Sequence, residues 1–273
     1  MKTSGNIRFY GFAIALLFLG LVIGSRTSGT SQRHQTNEQE VVISPIGRVE
    51  DLKTINHTSA FNIAEIRKVS DAFLEIIFKN EYDKSVTGFE VSIGGMRIQT
   101  ELILGGDEQQ FISPGSTFQK AYDAQSGLDR YGVQVLAVIF DDGSSDGDIT
   151  AIKEITDYRL GMKTERERVL TLLGHVMMSK SMPMAFEELE AEMSSAIPSS
   201  QQNGRLDNVG LGIRNERRRM LQEIRMLKDK HQYAQSDVTK ALELKQDLVI
   251  ITAKCKNIIR LASASSGLKR RSN

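Results

Sequence analysis

The residues best suited to chemistry form one acidic, glycine-containing segment, 141–149. From Asp142 onward, oxygen side chains at positions 1, 3 and 5, glycine at 6 and isoleucine at 8 match an EF-type calcium loop. Position 12 is Lys153 instead of the glutamate that would bind calcium through both oxygens. The competing interpretation is a strand-to-helix turn in which Asp146 or Asp148 caps the helix. The sequence favours the turn and leaves calcium open.

Other candidate groups lack the spacing that catalysis needs. The acidic run Glu187, Glu188, Glu190 and Glu192 falls on the polar face of an amphipathic helix, which favours a solvated face over an acid–base pair. The four histidines are His34, His57, His175 and His231, and no metal-ligand or triad spacing joins them. The single cysteine, Cys255, falls on an apolar stripe, which indicates a small buried side chain. We therefore expect no catalytic residue, no cofactor and no metal.

A basic cluster is the remaining candidate. Its members share one predicted helix and are Arg214, Arg217, Arg218, Arg219 and Arg225. Such a row of guanidinium groups could be solvated, dock onto an acidic part of the same chain, or bind anionic lipids or envelope polymers. Nucleic acid would also attract it, but export, argued below, makes that partner unavailable.

The predicted elements that position these groups are strands before residue 148 and helices after it. Between Val41 and Asp142, residues alternate with period two, and turn signals recur every 8–12 residues, which predicts seven or eight strands. Gly94-Gly95 predicts a tight hairpin. In the strand from Met96 to Leu104, the even-numbered residues predict a buried face and the odd-numbered ones a mostly wet face. The number and length of strands predict an immunoglobulin-like or fibronectin-III-like sandwich.

Residues 74–80 (LEIIFKN) and 84–91 (KSVTGFEV) resemble the central hairpin of bacterial extracytoplasmic immunoglobulin-like modules. The turn at Pro114-Gly115 and the strand from Val135 to Asp142 are similar to the same modules. The resemblance covers about residues 60–142 and implies an antiparallel sandwich at the cell surface. It implies no catalytic residue.

After residue 148 the apolar spacing becomes helical. One helix follows Asp148, with Gly161 as a bend or interruption, and Pro183 begins another. Residues 197–204 form a linker, and two long helices follow at about 208–231 and 236–264. A near-heptad apolar stripe on the last one predicts an antiparallel helical hairpin capable of self-association. The stripe comprises Val238, Leu242, Leu248, Val249, Thr252, Cys255, Ile259 and Ala262.

The N-terminus has the pattern of an export signal. Lys2 and Arg8 precede an apolar run of sixteen residues from Phe9 to Gly24, which is followed by a polar stretch. At 1.5 Å per residue this run spans about 24 Å, less than a hydrocarbon core of about 30 Å. Cleavage before Ser25 and retention as a membrane anchor both stay open. Export with a single cysteine, and hence no internal disulfide, favours a bacterial envelope.

Charge supports a division of the chain. Residues 38–148 carry nineteen acidic and nine basic side chains, whereas residues 205–273 carry sixteen basic and seven acidic ones. We therefore expect an α+β chain built of separate parts. These are a signal peptide or anchor (1–24), a polar linker (25–40), a sandwich (41–148), a helical segment (149–197), a linker (198–204), a basic hairpin (205–265) and a disordered basic tail (266–273).

These observations favour an exported, non-enzymatic binding or scaffolding protein of the bacterial envelope, periplasmic, secreted or anchored by its N-terminus. The expected partner is a protein or a second copy, through the C-terminal helices, or an anionic membrane surface or envelope polymer. An accessory subunit of a larger envelope complex is the alternative. A metal-dependent hydrolase using Asp142–Asp148 is less favoured, because no nucleophile or histidine accompanies those residues.

Overall fold

The computed structural model describes residues 52–70, 72–105, 110–124, 127–178, 182–195, 201–202, 205–231 and 238–266. The predicted leader, the polar linker with His34 and the first residues of the predicted sandwich, 41–51, lie outside these residues. The strands are β1 (Thr54–Asn56), β2 (Phe61–Ser70), β3 (Phe73–Asn80), β4 (Val86–Ile93), β5 (Met96–Glu101), β6 (Thr117–Asp123), β7 (Val133–Phe140), β8 (Ser145–Gly147), β9 (Gln201–Gln202) and β10 (Arg205–Leu206). The helices are α1 (Leu128–Tyr131), α2 (Ile149–Met178), α3 (Met182–Ser194), α4 (Asn208–His231) and α5 (Val238–Ser266).

The N-terminal part contains two sheets and the C-terminal part is helical, so the α+β content is confirmed. One sheet has the order β1-β7-β4-β5, with β8 also pairing with β7, and the other has the order β2-β3-β6. Their pairings are antiparallel except for β1, which runs parallel to β7. The predicted hairpin at Gly94-Gly95 is confirmed, since both glycines have positive φ between β4 and β5.

The two sheets enclose an apolar core. The rings of Phe61, Phe78 and Phe89 meet there with centroids 5.0–5.3 Å apart. Val91 and Val135 join them, and all five side chains are fully buried. Burying each of these side chains contributes about 1.5–3 kcal/mol. This core holds the N-terminal part together.

The predicted division of β5 into a buried face and a mostly wet face is only partly confirmed: Met96, expected inside, is 53% exposed, and on the opposite face Arg97 is 38% exposed. Helix α2 covers that side of the sheet, where Arg97 pairs with Glu154 at 3.0 Å and Glu101 pairs with Arg159 at 2.9 Å. Glu101 and Arg159 are almost completely buried. Charged residues produced the alternation in the sequence; in the structure they pair with residues of the helix, and the Glu101–Arg159 pair is also removed from water. The strand also ends at Glu101, before a 3₁₀ turn at Ile103–Gly105.

Helix α2 begins where the sequence predicted. The carboxylate of Asp148 accepts hydrogen bonds from the backbone N–H groups of Thr150 and Ala151 at 3.0 and 2.9 Å, which is N-capping geometry. The helix then continues without a break to Met178, so the predicted interruption at Gly161 is wrong. Pro183 occupies the first turn of α3, as expected.

Helices α4 and α5 both lie along α2. Val169 and Leu173 of α2 share a buried cluster with Met220 and Ile224 of α4 and with Leu248 of α5. Residues further along α2 contact residues further along α4: Gly161 lies against Val209, and Glu165 against Arg217. The two helices are therefore parallel. Ion pairs Glu223–Lys254 and Lys230–Asp247, at 3.1 and 2.8 Å, join α4 to α5.

The buried stripe of α5 differs from the predicted one. The residues facing inward recur at alternating spacings of three and four and are Leu244, Leu248, Ile251, Cys255, Ile258 and Ala262. Val249, which the sequence placed on the stripe, is 60% exposed, and Ile250 is 63% exposed. The apolar run 248–251 covers the whole circumference of the helix, so composition alone could not set its phase.

The sheets and the helices pack against each other. Ala151, Ile152 and Ile155 of α2 pack on Ala137 and Ile139 of β7. Ile258 and Leu261 of α5 pack with Ile103 and Phe111 in a further buried cluster. Helix α2 is thus part of both cores. Within the described segments, no helix has the length and apolar character needed to cross a membrane.

Candidate functional site

The most unusual site in the described part of the chain is a set of buried charges between α2 and α4. The guanidinium group of Arg217 donates to both oxygens of Glu165 at 2.9 and 3.0 Å. A second pair has its arginine on α2 and its glutamate on α4: Arg166 Nη2 lies 2.6 Å from Glu216 Oε1. All four side chains are at least nine-tenths buried. We call these residues, together with Arg168 and Arg219, the charge hub.

The two outer arginines of the charge hub reinforce the same carboxylates. Arg168 contacts Glu165 at 2.7 Å, and Arg219 contacts Glu216 at 2.8 Å, each from three residues further along the helix. The hub therefore holds four positive and two negative charges. Arg217 and Glu165 form a bidentate guanidinium–carboxylate pair, the geometry that best tolerates such burial. Arg166 Nε and Nη2 make no hydrogen bond, although Nη2 lies close to Glu216.

Backbone carbonyl groups balance the excess positive charge. Arg217 donates to Ser195 O at 2.9 Å and Arg168 to Glu192 O at 3.4 Å, both at the C-terminal end of α3, where the helix dipole is negative. Arg219 donates to Leu104 O at 3.1 Å, beyond the end of β5. The charge hub thus connects α2 and α4 with α3 and the sandwich.

A close helix crossing brings the hub residues together. A Cβ atom on Gly161 would overlap the carbonyl oxygen of Val209, and one on Gly212 would overlap that of Tyr158. Both positions must therefore be glycine for α2 and α4 to approach at this distance. The crossing lies one helical turn before Glu165 and Glu216.

Sequence reasoning missed the hub, although the chain carries a signal for it. The segments 158–173 (YRLGMKTERERVLTLL) and 209–224 (VGLGIRNERRRMLQEI) share Leu-Gly-x-x-x-Glu-Arg-x-Arg-x-Leu. The reciprocal ion pairs and the paired glycines follow this repeat residue by residue. A search for internal repeats would have found it.

The structure separates the five predicted contact arginines. Arg217 and Arg219 belong to the charge hub, and Arg225 pairs with Glu190 on α3 at 2.8 Å. Arg214 and Arg218 are exposed. The five arginines therefore do not share one surface: Arg217 and Arg219 belong to the charge hub, whereas Arg214, Arg218 and Arg225, at helical spacings of four and seven, are exposed on one side of α4.

Cys255 is buried as predicted, but it has a polar neighbour. Arg166 Nη1 lies 3.2 Å from its Sγ atom. Burial raises the pKa of the Cys255 thiol despite this nearby positive charge. A buried thiol with a raised pKa is a poor nucleophile.

Three of the four aspartates of segment 141–149 accept hydrogen bonds, each from a different part of the backbone. Ser144 donates to Asp142 from its N–H at 2.9 Å and its hydroxyl at 2.6 Å. Asp146 accepts from the N–H groups of Ser59 and Ala60 at 2.7 and 3.0 Å, and Asp148 caps α2. Burial alone would raise the pKa of Asp142, but the hydrogen bonds from Ser144 keep it below its ordinary value. This arrangement favours the turn interpretation.

The remaining polar candidates are dispersed. His57 lies beside Gln134, His175 lies on α2, and His231 pairs with Asp247 at 2.9 Å. In the acidic run, Glu190 pairs with Arg225 and Lys228, whereas Glu187 and Glu188 are exposed. Across the described segments, no group of three or more histidine, cysteine, aspartate or glutamate side chains is placed to hold a metal ion.

Two cavities accompany these residues. One, of about 660 Å³, opens between α2 and α3, with Leu172, Val176 and Leu189 on its apolar side and His175 and Glu192 on its polar side. The other, of about 230 Å³, lies beside Glu101, Tyr158 and Asn215. Asn215 Nδ2 lies 3.5 Å from the Tyr158 hydroxyl, whose pKa burial raises. Ser195 also lines the larger cavity, and its hydroxyl group donates to the backbone carbonyl oxygen of Glu192 at 2.7 Å.

Comparisons with known proteins gave no match: no family model, no curated protein and no solved structure is significantly similar to the chain.

Proposed function

We propose that this chain is an exported, non-enzymatic binding or scaffolding protein of the bacterial cell envelope. The observation that carries the proposal is an exposed apolar surface on the helices. Val249 and Ile250 of α5 and Met226 of α4 are 57–63% exposed, although each helix has a separate, fully buried apolar face towards α2. Neighbouring exposed apolar side chains, such as Val249 and Ile250 on α5, are typical of interaction surfaces.

The construction of the fold supports a scaffolding role. Helix α2 belongs both to the core beside the sandwich and to the core of the helices, and the charge hub fixes α4 against it. A partner that binds the helices is thereby held at a fixed distance from the sandwich.

The finer fold assignment belongs to the same proposal. The order β2-β3-β6 opposite β8-β7-β4-β5 supports an immunoglobulin-like or fibronectin-III-like sandwich. The two ion-pair levels between α4 and α5 support an antiparallel helical hairpin.

Export and attachment rest on the N-terminal pattern of Lys2, Arg8 and the apolar run to Gly24. Fractionation of native cells with intact-mass measurement tests this part. We expect either a chain beginning at Ser25 outside the cytoplasmic membrane, or the full-length chain in the membrane fraction. Full-length protein in the cytoplasmic fraction would contradict the proposal.

Two partner classes follow from the exposed surfaces. The apolar side chains on α4 and α5 fit a protein partner or a second copy, and exposed Arg214 and Arg218 could add contacts with anionic lipids or polymers. An accessory subunit of a larger complex is the alternative role. Purification of the tagged full chain from native membranes distinguishes the binding protein from the accessory subunit, because an accessory subunit should bring one different protein in stoichiometric amount.

A further inference from the structure

We propose that the outer face of α5 is a self-complementary surface that pairs with the same face of a second copy, with the two α5 helices antiparallel. This pairing supplies the partner for the proposed binding function and rests on it. We call this surface the outer α5 face; its residues are Glu243, Gln246, Val249, Ile250, Ala253, Lys256, Asn257 and Arg260.

The outer α5 face lies opposite the buried stripe. On an α-helix, the residues two positions after Leu244, Ile251 and Ile258 point away from the face that those three residues bury. Val249, Ile250 and Ala253 occupy the middle of this opposite face and are exposed. Two β-branched apolar side chains beside an alanine form a flat patch that another helix can approach closely.

Charge complementarity identifies the occupant. An antiparallel pair with its twofold axis between Ile251 and Thr252 places Ile250 of each copy against Ala253 of the other. The same axis places Gln246 opposite Asn257 and Glu243 opposite Arg260 of the second copy. Each contact occurs twice, so an apolar centre is flanked on both sides by polar and then oppositely charged pairs.

A parallel pair does not have this complementarity. Two parallel helices related by a twofold axis bring each residue opposite itself, so Glu243 would face Glu243, and Lys256 and Arg260 would face their own equivalents. Like charges directly opposite each other are unfavourable. The charge order on α5 therefore selects the antiparallel arrangement.

The size of the surface sets the expected strength. From Glu243 to Arg260 the contact extends over about five helical turns, which is a small interface by the standards of stable complexes. We therefore expect a dimer with a dissociation constant in the micromolar range.

Sedimentation of the full chain in a mild detergent, across the micromolar range, tests the pairing. Ile250→Asp should weaken dimerisation at least about tenfold, because it places a carboxylate at the apolar centre. Val69→Asp is the matched control, since Val69 is 61% exposed on β2, and it should leave the dimer unchanged. A wild-type chain that stays monomeric, or one whose dimer tolerates Ile250→Asp, would overturn the pairing.

A charge exchange tests the antiparallel register. Glu243→Arg and Arg260→Glu should each weaken the dimer by roughly threefold to tenfold. The double variant should recover wild-type affinity, because it re-forms both pairs with reversed sign. Circular dichroism confirms that each variant folds. Failure of the double variant to recover affinity would reject this register.

Spin labels give an independent distance. A label at Ala264→Cys should lie about 38 Å from its equivalent along the antiparallel helices, whereas a parallel pair would bring the two within about 10 Å. The parent chain, whose Cys255 is fully buried, serves as the labelling blank. A monomer in these experiments together with correct export would reject the pairing alone, whereas failed export with an intact dimer would reject only the envelope role.

Discussion

The guanidinium groups of Arg166 and Arg217 lie almost completely out of contact with water, and each faces a glutamate on the neighbouring helix. Removing two charges from water costs several kcal/mol per ion, which the mutual attraction only approximately offsets. The intact ion pairs of the charge hub therefore contribute little net stability, whereas loss of one partner should be strongly destabilising.

Glu216→Leu should destabilise the protein by about 3–5 kcal/mol, because it leaves Arg166 buried without a counter-charge. The double variant Glu216→Leu/Arg166→Met should recover most of this loss, since it removes both charges. Urea denaturation measures the free energy of unfolding. Glu187→Leu, at a side chain that is 72% exposed, is the control and should change stability by less than about 1 kcal/mol. A double variant as unstable as the single one would show that the pair contributes favourably by itself.

Asp247 should make a small contribution to acid sensitivity. Hydrogen bonds from Lys230 and His231 hold the pKa of its carboxyl below the ordinary value. A lowered folded-state pKa stabilises the protein above the unfolded-state pKa, and this stabilisation is lost as pH falls through the folded-state pKa.

Asp247→Asn should therefore lose less stability than wild type between about pH 5 and about pH 3, by less than about 1 kcal/mol because the pair is near the surface. Urea denaturation at three pH values measures the difference. Asp229→Asn, at an exposed position of α4, is the matched control. Equal pH dependence of wild type and Asp247→Asn would contradict the expected role of Asp247.

At the scale of elements, periodicity located the helices and most strands well. The sequence predicted α4 at 208–231, where the structure has it, and α5 within two residues at each end. It could not predict which polar side chains are hydrated. Glu101 of β5 and Arg217 of α4 are buried although their polarity indicates a solvent-facing position, because periodicity measures polarity, whereas burial depends on a partner distant in sequence.

The glycine crossing between α2 and α4 gives a prediction at this scale. Gly161→Ala and Gly212→Ala should each destabilise the protein by about 1–3 kcal/mol, because the added methyl group forces the helices apart. Gly174 lies on α2, and a methyl group added there meets no atom within 4 Å. Gly174→Ala should therefore stabilise the protein by up to about 1 kcal/mol. Thermal denaturation measures both effects. Stabilisation by all three alanines would mean that the crossing is wider than described.

For the whole molecule, the charge difference between residues 38–148 and 205–273 predicted a division of the chain and left docking of the basic helices onto the acidic part open. The contacts between the parts are both apolar and polar: α2 packs on β7, Ile258 and Leu261 of α5 pack on Ile103 and Phe111, and Glu101 pairs with Arg159. Net charge describes the surface of a part and carries no information about which apolar side chains it buries.

We therefore expect the sandwich and the helices to unfold in one transition. Leu74→Ala in the sandwich and Ile224→Ala in the helices remove fully buried side chains and should each cost about 2–5 kcal/mol. Calorimetry should show a single endotherm that both variants shift to lower temperature. Two endotherms, each sensitive to only one variant, would show that the parts fold independently.

The repeat shared by α2 and α4 gives the contact between these helices an approximate twofold symmetry. Glu165 meets Arg217 while Arg166 meets Glu216, and the two glycines face each other's helix in the same register. Reciprocal contacts of this kind define an isologous interface, which ordinarily joins two identical subunits. Here both halves belong to one polypeptide, so the chain contains the equivalent of a homodimer contact that no dilution can separate.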